Sequence, residues 1–193
     1  NDLVFQTLAE TGLKALESAK VKKIVAICPH CVRTMATDWK EFGVAPEIEH
    51  HSEFMARHRN RLPRQDGQSI VYHDPCYLGR YQEIYSEPRE VVKQAGRLVE
   101  APRSHERSFC CGAGGGLAFL GEEKGERVSH VRGRELAGTG AEVGGTACPV
   151  CNTMFRDALT FIFELPPQLR DIAQMTALAL SASHPAAISV RYC

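Results

Sequence analysis

Apolar positions near the start of the chain recur at roughly helical spacing. Leu3, Leu8, Leu13 and Leu16 fall on one stripe, with Asn1 or Asp2 placed to cap it, so a helix is predicted over residues 2–19. The pattern then switches. Residues 22–27 form a short apolar run that reads as a strand and stops on Cys28-Pro29-His30-Cys31. A helix to about Phe42, an extended piece over 47–50 and a helix from about Ser52 are expected next. Residues 57–68 carry Arg57, Arg59, Arg61 and Arg64 with Pro63 and Gly67, and read as a solvated linker or, less simply, a docking face for a flavoprotein or acidic partner. Beyond it a strand over 69–73 ends on Asp74-Pro75-Cys76, Pro88 opens a helix, and residues 97–101 return as strand. Cys110-Cys111-Gly112 leads into a glycine-rich turn and a polar helix over 122–137. A strand over 141–147, weakened by Gly144 and Gly145, runs into Cys148-Pro149-Val150-Cys151 and a helix to about Phe163.

The pattern repeats. Leu16 aligns with Leu136 at an offset of 120, as do the two Cys-Pro-x-Cys turns; with one residue inserted, Pro46 aligns with Pro167 and Ala56 with Ala177. Both copies run helix, strand, Cys-Pro-x-Cys, helix, extended piece, helix. The expected division is residues 1–62, the closing part of a first cysteine-rich unit, and 68–193, a complete second one. The short first unit and the start at Asn1 predict further chain upstream.

Strands alternating with helices imply an α/β fold of Rossmann-like parallel βαβ units in two pseudo-repeats, the first incomplete. Ligands of such sheets sit at the carboxyl ends of strands. Cys28, Cys76 and Cys148 each follow a strand, which places them on one rim.

Composition changes this picture little. Lys+Arg and Asp+Glu balance at 23 each, so no global charge calls for nucleic acid or an anionic membrane. No apolar run reaches the roughly 18–20 residues of a membrane span, and no signal peptide is legible. Eight cysteines without a secretion signal, and clustered, read as metal ligands or redox groups before bridges.

Thirty-three residues separate Cys76 from Cys110, and 36 separate Cys111 from Cys148. With Cys151 this makes five thiols from three segments. Iron clusters take thiolate ligands. A Cys-Pro-x-Cys at a strand-to-helix turn sets both sulfurs at a helix amino end, where free N–H groups favour negative charge. Gly112 and the run 114–116 let the backbone bend so that adjacent cysteines can face one site. Zinc remains the alternative, although a tetrahedral site needs four ligands and adjacent cysteines serve it poorly.

These residues resemble the cysteine-rich CCG domain. That family includes the cysteine-rich component of heterodisulfide reductase, iron–sulfur components of glycolate and glycerol-3-phosphate oxidising enzymes, and oxidoreductases associated with electron-transfer flavoprotein. The resemblance rests on residues 73–80 (His-Asp-Pro-Cys-Tyr-Leu-Gly-Arg), 110–116 (Cys-Cys-Gly-Ala-Gly-Gly-Gly) and the two Cys-Pro-x-Cys turns. It implies a [4Fe-4S] cluster, cubane or non-cubane, held by Cys76, Cys110, Cys111, Cys148 and Cys151. Cys28 and Cys31 become the last pair of a preceding motif in the intact protein. It further implies an oxidoreductase subunit taking electrons from a flavoprotein or ferredoxin-like partner and passing them to a quinone, a disulfide or another carrier. The place is the cytoplasm, or the inner face of the membrane through upstream or partner segments. The alternatives are an electron relay and a zinc-stabilised interaction domain, neither with its own substrate.

Other residues carry plainer readings. His73 is a donor to sulfur or a satisfied core histidine, Asp74 a local cap, and His50 and His51 structural. No role is expected for Cys193. Leu117 stands where a dinucleotide fingerprint needs its third glycine, so no nucleotide cofactor is expected.

Overall fold

Six short strands, all paired in parallel, carry the architecture of the computed structural model, which describes residues 1–120 and 125–183. Strands β1 (Lys23–Ala26) and β2 (Glu47–His50) make one sheet. The other has the order β4 (Arg97–Glu100), β3 (Ser69–His73), β5 (Val143–Thr146), β6 (Gln168–Asp171). In chain order the helices are α1 (Asp2–Ser18), α2 (Pro29–Ala36), α3 (His51–Arg57), α4 (Gly79–Gln82), α5 (Ser86–Ala95), α6 (Leu117–Leu120), α7 (Val128–Ala137), α8 (Pro149–Ile162) and α9 (Ile172–Ser183). The α/β class with parallel units is therefore as the alternation predicts. The polar helix expected from residue 122 begins only at Val128, with residues 125–127 outside it, while 122–124 and Cys193 lie outside the described residues.

The repeat is visible element by element. Strands β1 and β5 begin 120 residues apart, as do α2 and α8; β2 and β6, and α3 and α9, begin 121 apart. The helix expected to reach Phe42 stops at Ala36 and is followed by a 3-10 turn over Asp38–Glu41.

Strand β3 is buried at all five positions, and its alternating faces organise two cores. Ile70 and Tyr72 pack with Val91, Val92, Ile172 and Met175. Val71 packs on the other face with Leu136, Phe155, Cys111, Cys148 and Cys151. The glycines of β5 are explained by space. A Cβ on Gly145 would lie 3.1 Å from Met175 Cε and 3.2 Å from Ile70 Cγ2, and one on Gly144 would lie 3.0 Å from Leu169 Cδ1. The strand forms because its neighbours fit against bare backbone, which outweighs the low strand preference of glycine.

Helix α1 departs from its expectation. Leu3 and Leu8 are exposed and only Ala9 and Leu13 are buried, so part of the expected apolar set faces the fold, beside Gly12, which admits the Trp39 ring. Asn1 occupies the cap position without a side-chain bond. The arginine-rich stretch is not simply solvated. Arg57 pairs with Glu49 at 2.6 Å and Arg59 with Glu90 at 3.5 Å. Ala56 of α3 belongs to the core around Ile70.

His50 caps α3. Its Nδ1 accepts from Ser52 N–H at 3.3 Å, and its own N–H donates to Glu53 Oε2 at 3.0 Å. Burial, helped by the neighbouring His51, holds His50 down to about 3. Below the ordinary histidine value of about 6.5 the unfolded chain takes up a proton that the native ring refuses. Stability carried by this group is thus complete above about pH 6.5 and falls as the pH drops towards 3. The slope is about 1.4 kcal/mol per pH unit for one proton. We expect His50→Asn, which keeps a capping oxygen, to flatten the fall of Tm between about pH 6.5 and 4 by about one proton's worth. Thermal melts at constant ionic strength measure this, and an unchanged slope refutes it.

Candidate metal centre

Three strand ends and one loop deliver the cysteines. Cys76 follows β3, and Cys148 follows β5 and is the N-cap of α8. Pro149 takes the first helical position and Cys151 falls in the first turn, where N–H groups lack helical partners. Cys28 caps α2 in the same way, with Pro29 at its first position. Cys110 and Cys111 lie on the loop before α6. Gly112 takes φ 88°, a left-handed conformation open to glycine, and its N–H donates to Cys110 Sγ at 3.3 Å.

The structure brings five of the expected residues together. Cys76, Cys110, Cys111, Cys151 and Cys148 lie close enough for each to act on the charge of the next. Cys111, Cys148 and Cys151 are buried, and Cys76 and Cys110 half-buried. Protons distribute unevenly along this chain. Cys110, hydrogen-bonded by Cys111 and Cys76, is pushed down to about 2. Cys148, hydrogen-bonded by Cys151 and then by His30 against the cost of burial, is pushed down to about 5. Cys111 is pushed up to about 11 by Cys110. Cys76 rises through Cys110 and burial, and Cys151 through Cys111, Cys148 and burial. The shifts thus favour the thiolate form at Cys110 and Cys148 and the thiol form at Cys76, Cys111 and Cys151.

The donor set decides what fits. Among the described residues no three His, Cys, Asp or Glu side chains are placed around a single ion. The sulfurs form a file of neighbours instead. That arrangement suits a polynuclear group bringing its own sulfide better than one tetrahedral ion. Thr146 Oγ1, Asn152 Nδ2 and His73 Nε2, all close in sequence to these cysteines, are buried without a hydrogen-bond partner, as a site built around a further group would leave them.

Cys28 and the exposed Cys31 stand apart but adjacent. His30, between them in sequence, also lies between the units in space. Its Nδ1 is 3.6 Å from Cys28 Sγ and 4.0 Å from Cys148 Sγ. Hydrogen bonds to Cys148 and then Cys28 hold it up at about 9. Its ring lies tilted against Tyr77, with centroids 4.0 Å apart, and Tyr77 stacks on Tyr81 at 4.7 Å. Sequence alone passes over His30, whose only signal is its place at the variable position of a Cys-Pro-x-Cys.

Behind the site lies a charged scaffold that sequence does not reveal either. Asp74, expected as a local cap, does accept the His105 N–H at 2.9 Å, but chiefly it takes two hydrogen bonds from buried Arg89, at 2.6 and 2.9 Å. Arg89 also donates to Glu100 at 2.8 and 2.9 Å. Ser108 Oγ donates to the Asp74 carbonyl, and Arg80 donates to the Ser108 carbonyl. The turn bearing Cys76 is thereby tied to the loop bearing Cys110. A cavity of about 670 Å³ opens nearby, lined by Ile27, Pro149, Asn152, Arg156, Asp171 and Gln174 among others. No cysteine is among its lining residues.

Comparison with known proteins gives a consistent answer. The family model described as a cysteine-rich domain, CCG, matches residues 1–36 and 70–156. A probable iron-sulfur-binding oxidoreductase, FadF, of Bacillus subtilis is 40% identical over 163 residues, covering 81% of this chain and 23% of that protein. An EtfAB:quinone oxidoreductase of Syntrophomonas wolfei is 33% identical over 171 residues, covering 82% and 24%. A component of the dihydromethanophenazine:CoB--CoM heterodisulfide reductase of Methanosarcina barkeri is 29% identical over 191 residues, covering 94% and 46%. The chain spans about a quarter of the length of the first two and under half of the third.

Proposed function

The chain belongs to the cysteine-rich CCG domain family, and from that premise we propose that it is an iron–sulfur oxidoreductase module whose cluster is held by Cys76, Cys110, Cys111, Cys148 and Cys151. The observation that carries this reading is that five thiols, from segments up to 75 positions apart, are gathered closely enough to act on one another's charge. A four-iron cluster is the group that five thiols of this spacing best serve, and when bound it supplies one-electron redox chemistry. The protein's own contribution is to bind and to bury. Cys110 and Cys148 offer thiolates, the first turn of α8 turns N–H groups towards negative charge, and the Phe155 side excludes water. Cys28 and Cys31 close a separate first unit, with the division falling between residues 62 and 68.

Electrons arrive from a flavoprotein or ferredoxin-like donor and leave to a quinone or a disulfide. One relative is named for EtfAB and quinone and another for a heterodisulfide, which supports both classes of acceptor. No helix of the described residues is long and apolar enough to cross a membrane. Contact with a membrane then runs through partners or further segments of a longer protein. Anaerobic reconstitution with iron and sulfide is the test. We expect brown protein with broad visible absorption and matched iron and acid-labile sulfide. Colourless protein binding stoichiometric zinc in preference to iron overturns the reading.

A further inference from the structure

His73, at the end of β3, holds a proton that no described residue accepts. The residue is 1% exposed. Arg132 Nε donates to its Nδ1 at 3.3 Å. A guanidinium has donors and no acceptor, so Nδ1 must be the accepting nitrogen and the neutral ring must carry its hydrogen on Nε2. That Nε2–H is buried and has no partner among the described residues. Burial, together with the Arg132 charge, keeps the ring from protonating. The ring packs edge-on against Phe155, with centroids 4.6 Å apart, on the same side of the sheet as Cys111, Cys148 and Cys151. It is also near enough to the Cys110 thiol for each to act on the other's charge.

Arg132 is unusual in its own right. It is fully buried, and its Nη1 lies 3.0 Å from Glu135 Oε2 without the alignment of a hydrogen bond. Glu135 is shared, since it accepts from Arg103 Nη2 at 2.7 Å. Glu135 thus serves two cations, with Asp74 the next carboxylate to act on Arg132. A buried donor without an acceptor is destabilising, and an uncompensated buried charge more so. Such a pair is stable where an anionic acceptor completes it.

We propose that His73 is a positioning residue that donates its Nε2–H to sulfur of the group held by the five cysteines and, backed by Arg132, raises the reduction potential of that group. The inference rests on the function proposed above. Hydrogen bonds to sulfur and nearby positive charge favour the reduced, more negative state. The pair fixes the tautomer from behind, which leaves the hydrogen on Nε2 free to donate.

The test compares His73→Phe with His73→Gln in the reconstituted chain, by redox titration and iron analysis. His73→Phe removes the donor and His73→Gln restores an N–H of similar reach. We expect His73→Phe to keep its iron and to shift the one-electron equilibrium at least about tenfold towards the oxidised form, which is about 59 mV. His73→Gln should recover more than half of that shift. His73→Phe at the wild-type potential, or both variants shifted alike, overturns the proposal. If His73→Phe does not fold, the unmodified ring can be observed directly. Protein carrying His30→Asn and ring-15N histidine should show a weak 15N coupling in the pulsed EPR spectrum of the reduced cluster, and its absence overturns the proposal equally. Failure of the underlying function looks different, because the wild-type chain itself would then take up no iron.

Discussion

Cys111→Ser is expected to remove most of the bound iron, and Cys31→Ser to leave it nearly unchanged. Cys111 is buried and interacts with both Cys110 and Cys151, so it links the two ends of the thiol group. A serine oxygen is a hard donor in place of a soft thiolate, and its proton is far harder to remove. Cys31 is exposed, and its nearest thiol is Cys28 of the first unit. The measurement is iron per chain after anaerobic reconstitution of each variant, with secondary structure checked by circular dichroism. Equal loss in the two would mean that the units share one site and that the division of the cysteines into five and two is wrong.

Arg89→Met is the substitution expected to cost most stability. Arg89 and Asp74 side chains are 7% and 3% exposed, and removing one partner strands the other charge in the interior. Breaking a buried pair in this way costs about 3–5 kcal/mol. Glu100 is 41% exposed on its side chain, so Glu100→Gln should cost under about 1 kcal/mol. Denaturant unfolding of the two variants against the wild type reads the difference directly. Similar small losses in both would mean that Asp74 finds enough solvent or other donors to stand alone. Because Asp74 also anchors the His105 N–H and the Ser108 hydroxyl, Arg89→Met should weaken iron retention even where the fold survives.

Cysteine spacing, the Cys-Pro-x-Cys turns and the strands ahead of them are readable in the sequence because each is a local pattern with a local cause. Proline suits a first helical position, and a short apolar run bounded by turns suits a buried strand. The repeat is readable for the same reason, and its single inserted residue recurs as the 121-residue offset between β2 and β6. Buried arginines are not readable. Arg89 and Arg132 look like surface residues of polar helices, and only the tertiary approach of Asp74, Glu100, Glu135 and His73 makes their burial tolerable. His30 is hidden because its partners, Cys148 and Tyr77, lie 118 and 47 residues away. Leu3 and Leu8 mislead in the opposite sense, since periodicity reports a face and says nothing of whether anything covers it.

The two cores around β3 bear on the order of events in making the working protein. In small metal-nucleated domains the chain has too little apolar surface to fold, and the ion supplies the missing free energy. Here Ile70, Tyr72, Val91, Val92 and Ile172 close one face of the sheet with no cysteine among them, while Val71, Leu136 and Phe155 on the other face pack directly with Cys111, Cys148 and Cys151. The thiols are thus carried on a frame one side of which stands without them. Such a frame behaves as a socket loaded after folding. Loss of its contents to oxygen or a chelator should then leave a folded, refillable apoprotein, with damage confined to the exposed rim before it reaches the sheet.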